Sequence, residues 1–174
     1  ELYHKPAQAS IASEFRYNQN VLSKNTLYIF VSQSGETADT IACAKLIKDA
    51  GLKALCITNV EHSTLNKYAD FLLPTFAGKE TAVASTKAYT TQLMCMYLIA
   101  LYMGKTKGTI EAEYYEKIVE ELKTIPGKLQ KVLDRKDKIE NLAEIFHKRE
   151  QVFFIGRGPD SGVSYEGSLK LKEV

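Results

Sequence analysis

Four short runs of branched and aromatic residues, each separated from the next by stretches of helical periodicity, constrain this chain more than any other feature. The runs are Thr26–Val31, Lys53–Thr58, Phe71–Leu73 and Gln151–Ile155, all of strand type and strand length. After the first, residues 37–50 set Thr40, Ile41, Ala44, Leu46 and Ile47 along one face and meet Gly51, a helix stop. The second run predicts a short helix after it, around Ser63–Ala69, and the third a long apolar helix from about Ser85 to Met103. Strand and helix alternating in this rhythm predict an α/β fold, a doubly wound parallel sheet with helices on both faces.

Gly104–Gly108, with its lysines, is expected to end that block. Two amphipathic helices should follow, Thr109–Leu122 and about Gly127–Lys148, their charged residues forming a solvated face. Gln151–Ile155 then reads as a new strand, Gly156–Asp160 as a glycine turn and Ser161–Val174 as a helix. Three parts are therefore expected: residues 1–104 as a first α/β unit, 105–150 as a helical connector, and 151–174 as the opening strand and helix of a second unit. The chain lacks an initiator Met and stops inside a helical pattern, which reads as an excerpt of a longer protein.

Composition narrows the function classes. The 174 residues are 45% hydrophobic and 25% charged, an ordinary globular balance that excludes disordered and collagen-like chains. Net charge is +2, with 23 basic residues interleaved among 21 acidic ones, so no nucleic-acid footprint is expected. The longest nearly apolar run, Leu93–Met103, falls well short of the roughly 20 residues a membrane helix needs, and no membrane partner is expected. Cys43, Cys56 and Cys95 are isolated and sit in apolar surroundings, which reads as buried reduced thiols and a cytoplasmic home. His4, His62 and His147 are scattered without ligand spacing, so no metal is assigned.

In open parallel sheets, ligands bind at the carboxyl ends of the strands. After Val31 the chain reads Ser32-Gln33-Ser34-Gly35-Glu36-Thr37, and a helix begins. Three hydroxyls, an amide and a glycine at a helix N-terminus can wrap an anion with neutral donors and the positive end of the helix dipole. The loop contains no lysine or arginine and does not follow GxxxxGK[ST], so a monophosphate fits better than a triphosphate with its metal. The plainer alternative is that Ser34 or Thr37 merely caps the helix. A second loop, Gly78–Lys87, is mostly small residues that would let a ligand approach its backbone, with Ser85 and Thr86 placed to cap the long helix; it can equally be a tight connection and nothing more. In the last helix, Glu166, Lys170 and Glu173 are spaced i, i+4 and i+7 on one face. A lysine between two carboxylates suits a general base that moves a proton between adjacent sugar carbons, but it is also the ordinary pattern of a surface ion pair.

Together, three motifs resemble one family. Ser32-Gln33-Ser34-Gly35-Glu36-Thr37-Ala38-Asp39-Thr40, Ala77-Gly78-Lys79-Glu80-Thr81-Ala82-Val83-Ala84-Ser85-Thr86-Lys87-Ala88, and Gly156-Arg157-Gly158 with Glu166-Gly167-Ser168-Leu169-Lys170-Leu171-Lys172-Glu173 are similar to the sugar isomerase (SIS) domains of the glutamine–fructose-6-phosphate aminotransferases. Ala12-Ser13-Glu14-Phe15-Arg16-Tyr17 resembles the same family, and the four segments occur in its order. Ser168, where alanine is more usual, is a minor departure.

The resemblance implies that Ser32, Gln33, Ser34 and Thr37 bind the sugar phosphate and that Val83 lends its backbone beside the sugar. It implies that Glu173 is the base that shifts a proton from C1 to C2, with Lys170 close by. The family makes glucosamine 6-phosphate from fructose 6-phosphate and glutamine-derived ammonia, as a homodimer with a glutaminase domain and without metal or organic cofactor. Its ring-opening histidine and Schiff-base lysine match no position here. A first SIS strand with a glycine-hydroxyl turn should precede Glu1, so the expected SIS fold is truncated at both ends and the fragment alone is expected to be inactive. Two other readings stay open: a related SIS isomerase or deglycase, and a non-catalytic SIS module that binds a sugar phosphate to regulate a partner. A base at Glu173 argues against the module, which needs the cradle but no proton shuttle.

Overall fold

The structure, a computed structural model, describes residues 3–18 and 21–174, which fall into two compact units divided between Thr109 and Ile110. The first contains three parallel strands, β1 (Tyr28–Val31), β2 (Ala54–Thr58) and β3 (Phe71–Pro74), in the order β1-β2-β3. Register runs Tyr28 opposite Ala54 and Leu55 opposite Phe71. The alternation of strand and helix in the sequence therefore gives the α/β class it predicted, with a parallel sheet. Strand β1 lies at an edge, because no described residue pairs on its other side. The centre belongs to β2, where Ala54, Cys56, Ile57 and Thr58 are fully buried.

Helix α2 (Ala38–Asp49) carries the chain from β1 to β2 and supplies the core on one face. Ala44 packs with Cys56 and Leu65, and Ile47 with Leu52 and Ala54; Phe30 lies against both clusters. Cys43 joins the buried stripe, whereas Leu46, expected inside, is 43% exposed. By strand alternation Leu55 and Ile57 face the other side, and Ile57 is buried there. A short helix α1 (Ala12–Tyr17) is tied to α2 by Arg16 Nη1 to Asp39 Oδ1 at 2.9 Å and by the Cys43 thiol donating to the Ala12 carbonyl at 3.3 Å. Leu65–Tyr68 forms one 3-10 turn where a short helix was expected. Helix α3 (Thr86–Lys107) runs beyond Met103 and ends at Gly108, within the expected boundary Gly104–Gly108.

The second unit is helical: α4 (Ala112–Leu133), α5 (Lys136–Phe146) and α6 (Pro159–Glu173). The sequence predicted a break between Leu122 and Gly127, yet α4 continues through Pro126 and the break comes at Asp134-Arg135. Ile118, Leu122, Ile125, Leu129 and Val132 keep a four-three spacing across the proline, so stopping there would interrupt a continuous apolar stripe. No strand forms at Gln151–Ile155. A strand needs a ladder partner, and residues 110–174 contain no second strand. The Phe154 ring instead packs on α6, where it would lie 2.9 Å from a Cβ at Gly167.

At the amino ends of β2 and β3, the Asp70 carboxylate accepts hydrogen bonds from Lys53 Nζ and from the Ala54 N–H at 2.9 Å, which holds its pKa below the usual aspartate value. A depressed carboxylate stabilises the fold above its unfolded pKa, and that contribution is lost as pH falls through the folded value. Asp70→Asn should therefore flatten part of the loss of thermal stability between pH 7 and pH 3, the remainder coming from Glu36, Glu80 and Glu121, whose pKa values are also lowered. An unchanged acid slope by circular dichroism would show that the Asp70 pairing adds nothing.

Candidate functional site

All three strands deliver loops to the same carboxyl edge of the sheet. The Ser32 N–H donates to the Ile57 carbonyl at 3.0 Å, which extends the β1–β2 ladder by one residue, and the chain then turns sharply. Ser32 is 7% exposed, and its hydroxyl accepts from the Gly35 N–H at 3.0 Å while sharing a proton with the Thr37 hydroxyl at 3.3 Å. Ser34 Oγ accepts from the Glu36 N–H at 3.2 Å. Gly35 has φ +68°, so the turn uses the left-handed region that glycine enters freely. The residues 32–37 thus form a closed hydroxyl turn leading into the N-terminus of α2, as the sequence predicted. Capping is not the job of these hydroxyls: Thr37 occupies the N-cap position, but its side chain makes no cap bond, and the Thr37 carbonyl starts the helix by accepting from the Ile41 N–H at 3.0 Å.

The chain after β2 braces this turn from outside. Leu65 N–H donates to the Gly35 carbonyl at 3.0 Å, and Thr64 N–H donates to Glu36 Oε1 at 2.7 Å. That second bond holds the Glu36 carboxyl below its usual pKa and turns the loop's one acidic group onto a backbone donor. Gln33, Ser34 and Thr37 remain at least partly accessible. What the turn offers is neutral donors and a helix N-terminus with no cation of its own, an arrangement suited to holding a small dianion reversibly.

The loop after β3 is internally fastened. Glu80 Oε1 accepts from the Thr81 and Ala82 N–H groups at 3.0 and 3.1 Å, and Glu80 Oε2 accepts from the Ser85 hydroxyl at 3.3 Å, which together lower the Glu80 pKa. Lys87 Nζ donates to the Lys79 carbonyl. Val83 is 88% exposed. Ser85 was expected to cap α3 with its hydroxyl; it holds the N-cap position at φ 52° but makes no cap bond, because Glu80 takes the hydroxyl.

Sequence reasoning passed over Asn59. Directly after β2, its N–H donates to the Gln33 carbonyl at 3.0 Å while its side chain binds the start of the β3–α3 loop at Thr75, Ala77 and Gly78. Reading the strand-end rule at β2 as well as at β1 and β3 would have found it.

In the second unit, Lys170 Nζ lies 3.2 Å from Glu166 Oε1 and 2.9 Å from Glu173 Oε2, as the i, i+4, i+7 spacing predicted. The bond to Glu173, more than that to Glu166, raises the lysine pKa and keeps it an ammonium. Cys43, Cys56 and Cys95 are free and buried; burial pushes the Cys56 thiol up to about 12 and raises the other two, which makes poor nucleophiles of all three. Among the described residues no three His, Cys, Asp or Glu side chains come together as a metal site, and no helix is long and apolar enough to cross a membrane.

Comparison with known proteins gives one consistent result. Residues 1–102 match the SIS domain family. The glutamine–fructose-6-phosphate aminotransferase (isomerizing) of Clostridium tetani is 48% identical over 169 residues, which is 97% of this chain and 28% of that protein. The enzyme of the same name from Caldanaerobacter subterraneus subsp. tengcongensis is 49% identical over the same shares. The chain thus spans little more than a quarter of the curated relatives it matches. Among solved structures, the C-terminal domain of glucosamine-fructose-6-phosphate aminotransferase from Francisella tularensis aligns with a TM-score of 0.93 at 39% identity, covering 97% of this chain and 48% of that one.

Proposed function

This chain belongs to the SIS domain family, and on that premise we propose that it is the isomerase part of an aminotransferase that makes glucosamine 6-phosphate from fructose 6-phosphate and glutamine-derived ammonia. The observation that carries the reading is the hydroxyl turn 32–37, closed by Ser32 and seated at the N-terminus of α2. In it Ser32, Gln33, Ser34 and Thr37 hold the phosphate, and the Val83 backbone lies beside the sugar. Fixed neutral donors bind a dianion without the cost of stripping water from a buried cation, and they release the product phosphate as readily as they take the substrate's.

Glu173 is the base in this scheme. It takes a proton from C1 of the open-chain sugar imine and returns it to C2, so that the carboxylate ends as it began, while the Lys170 ammonium lies against it throughout. Ring opening and imine formation are assigned to no residue of this chain. Residues 105–150 serve as the connector between a first SIS subdomain and a second that opens at residue 151. The complete protein carries a glutaminase domain, works as a homodimer and resides in the cytoplasm.

The test is Thr37→Val in the complete enzyme, which keeps the volume of the side chain, deletes a donor and unties the Ser32 hydroxyl. Fructose 6-phosphate affinity by calorimetry should fall by about 1 to 3 kcal/mol, the range for losing a hydrogen bond to a charged group. Unchanged affinity removes Thr37 from the phosphate site.

A further inference from the structure

We infer that Asn59 is a positioning residue: it fixes the loop that carries Val83 to the turn that carries Gln33 and thereby sets how the open-chain sugar lies beside the turn that holds its phosphate. This rests on the function proposed above. Asn59 follows the central strand, and its bonds reach the exits of both neighbours. Its N–H donates to the Gln33 carbonyl at 3.0 Å, beyond β1. Its Oδ1 accepts from the Thr75 hydroxyl at 3.0 Å and the Ala77 N–H at 2.9 Å, and its Nδ2 donates to the Gly78 carbonyl at 2.7 Å, all beyond β3. Because the Ala77 N–H only donates and the Gly78 carbonyl only accepts, the amide has one allowed orientation, and a carboxylate or a hydrocarbon cannot replace it.

The segment held this way is strained. Phe76 has φ 51° and Gly78 has φ 69°; for a bulky residue such as Phe76 the left-handed region is an outlier. Strain of this kind persists only where the surroundings over-determine it. Packing does not do so at Phe76, whose side chain is 79% exposed. The Asn59 bonds fall at 75, 77 and 78, on either side of it, and supply the constraint. Beyond Gly78 the loop is held by Glu80 through the Thr81 and Ala82 N–H groups, so the position of Val83 follows from the anchor at its base. Displacing such an element by about 1 Å can cost on the order of 100-fold in rate with little loss of binding.

The experiment is steady-state kinetics of the complete enzyme with fructose 6-phosphate, carrying Asn59→Asp. At pH 8 the new carboxylate faces the Gly78 carbonyl, and kcat should fall roughly 10- to 100-fold with KM within about 3-fold of the parent. An aspartate stays ionised down to about pH 5, so the carboxylate cannot donate to the Gly78 carbonyl and the loss should hold from pH 8 to pH 6. Losing a residue that only stabilised the fold would lower the melting temperature without that split between kcat and KM. Thr75→Val, which removes one bond from the loop side, should lower kcat several-fold, also at constant KM. The inference is overturned by kcat near the parent's for Asn59→Asp or by a rise in KM alone. If Asn59→Asp does not fold, a parent-like kcat for Thr75→Val overturns it and a several-fold loss supports it. A parent enzyme that does not turn over fructose 6-phosphate sinks the proposed function and this inference together. A working parent with a weakened Thr37→Val and an unaffected Asn59→Asp sinks this inference alone.

Discussion

Gly35→Ala is expected to destabilise the first unit by about 2 to 5 kcal/mol and to abolish sugar-phosphate binding in the complete protein, from two independent costs. At φ +68° any side chain costs about 1 to 2 kcal/mol over glycine. The added Cβ would also sit 2.5 Å from Ser63 Cβ, closer still to Ser63 Oγ, and 3.3 Å from Thr58 Cγ2. Ser63 is 2% exposed and Thr58 fully buried, so neither can yield without moving backbone, and overpacking of this kind costs about 1 to 3 kcal/mol more. Ser63→Gly in the same chain removes most of the second cost and leaves the first, so the double variant should be more stable than Gly35→Ala alone. Denaturation followed by circular dichroism, with calorimetry for fructose 6-phosphate, reads both effects. A Gly35→Ala protein within 0.5 kcal/mol of the parent would show that the turn is not pressed against Ser63 as described.

Ser63 also shows why the candidate site was only half legible in the sequence. The hydroxyl turn could be read because its residues are contiguous and follow an apolar run, and the rule that ligands gather at strand ends needs no tertiary detail. The brace could not: Thr64, Leu65 and Asn59 act through backbone groups or an amide, and nothing in their side-chain chemistry singles them out. The missed roles of Ser85 and Glu80 have the same origin. A serine before a helix reads as a cap, and only the folded loop brings Glu80 Oε2 to its hydroxyl. In the second unit the helix boundary was misplaced for a different reason. Pro126 and Gly127 are strong local stop signals, but the four-three apolar spacing continues through them, and periodicity over 22 residues outweighed one lost backbone hydrogen bond. At Gln151–Ile155 the propensity for a strand is real, and a strand's stability lies in the partner that completes its ladder.

The largest expected effect is on turnover, from Glu173→Gln in the complete enzyme. An ionised carboxylate only accepts hydrogen bonds and becomes a donor once protonated, which lets one group take a proton from C1 and return it to C2. Glutamine keeps the shape and polarity but cannot carry the proton, and losing a general base typically costs about 100-fold to 10,000-fold in rate. Binding should change far less, because the phosphate is assigned to Ser34, Thr37 and their neighbours on a different element. The Lys170 ammonium separates this outcome from simple disruption of an ion pair. It contacts Glu166 as well as Glu173, so in Glu173→Gln it retains a carboxylate partner 3.2 Å away and α6 keeps its charge pairing. Glu166→Gln breaks the other half of the same triad and serves as the control, with an expected loss of only a few-fold. Turnover in deuterated water, with label followed at C2 of the product, distinguishes the cases. Exchange and isomerisation by Glu173→Gln at close to the parent rate would make Glu173 one arm of a surface ion pair and place the base elsewhere in the complete enzyme.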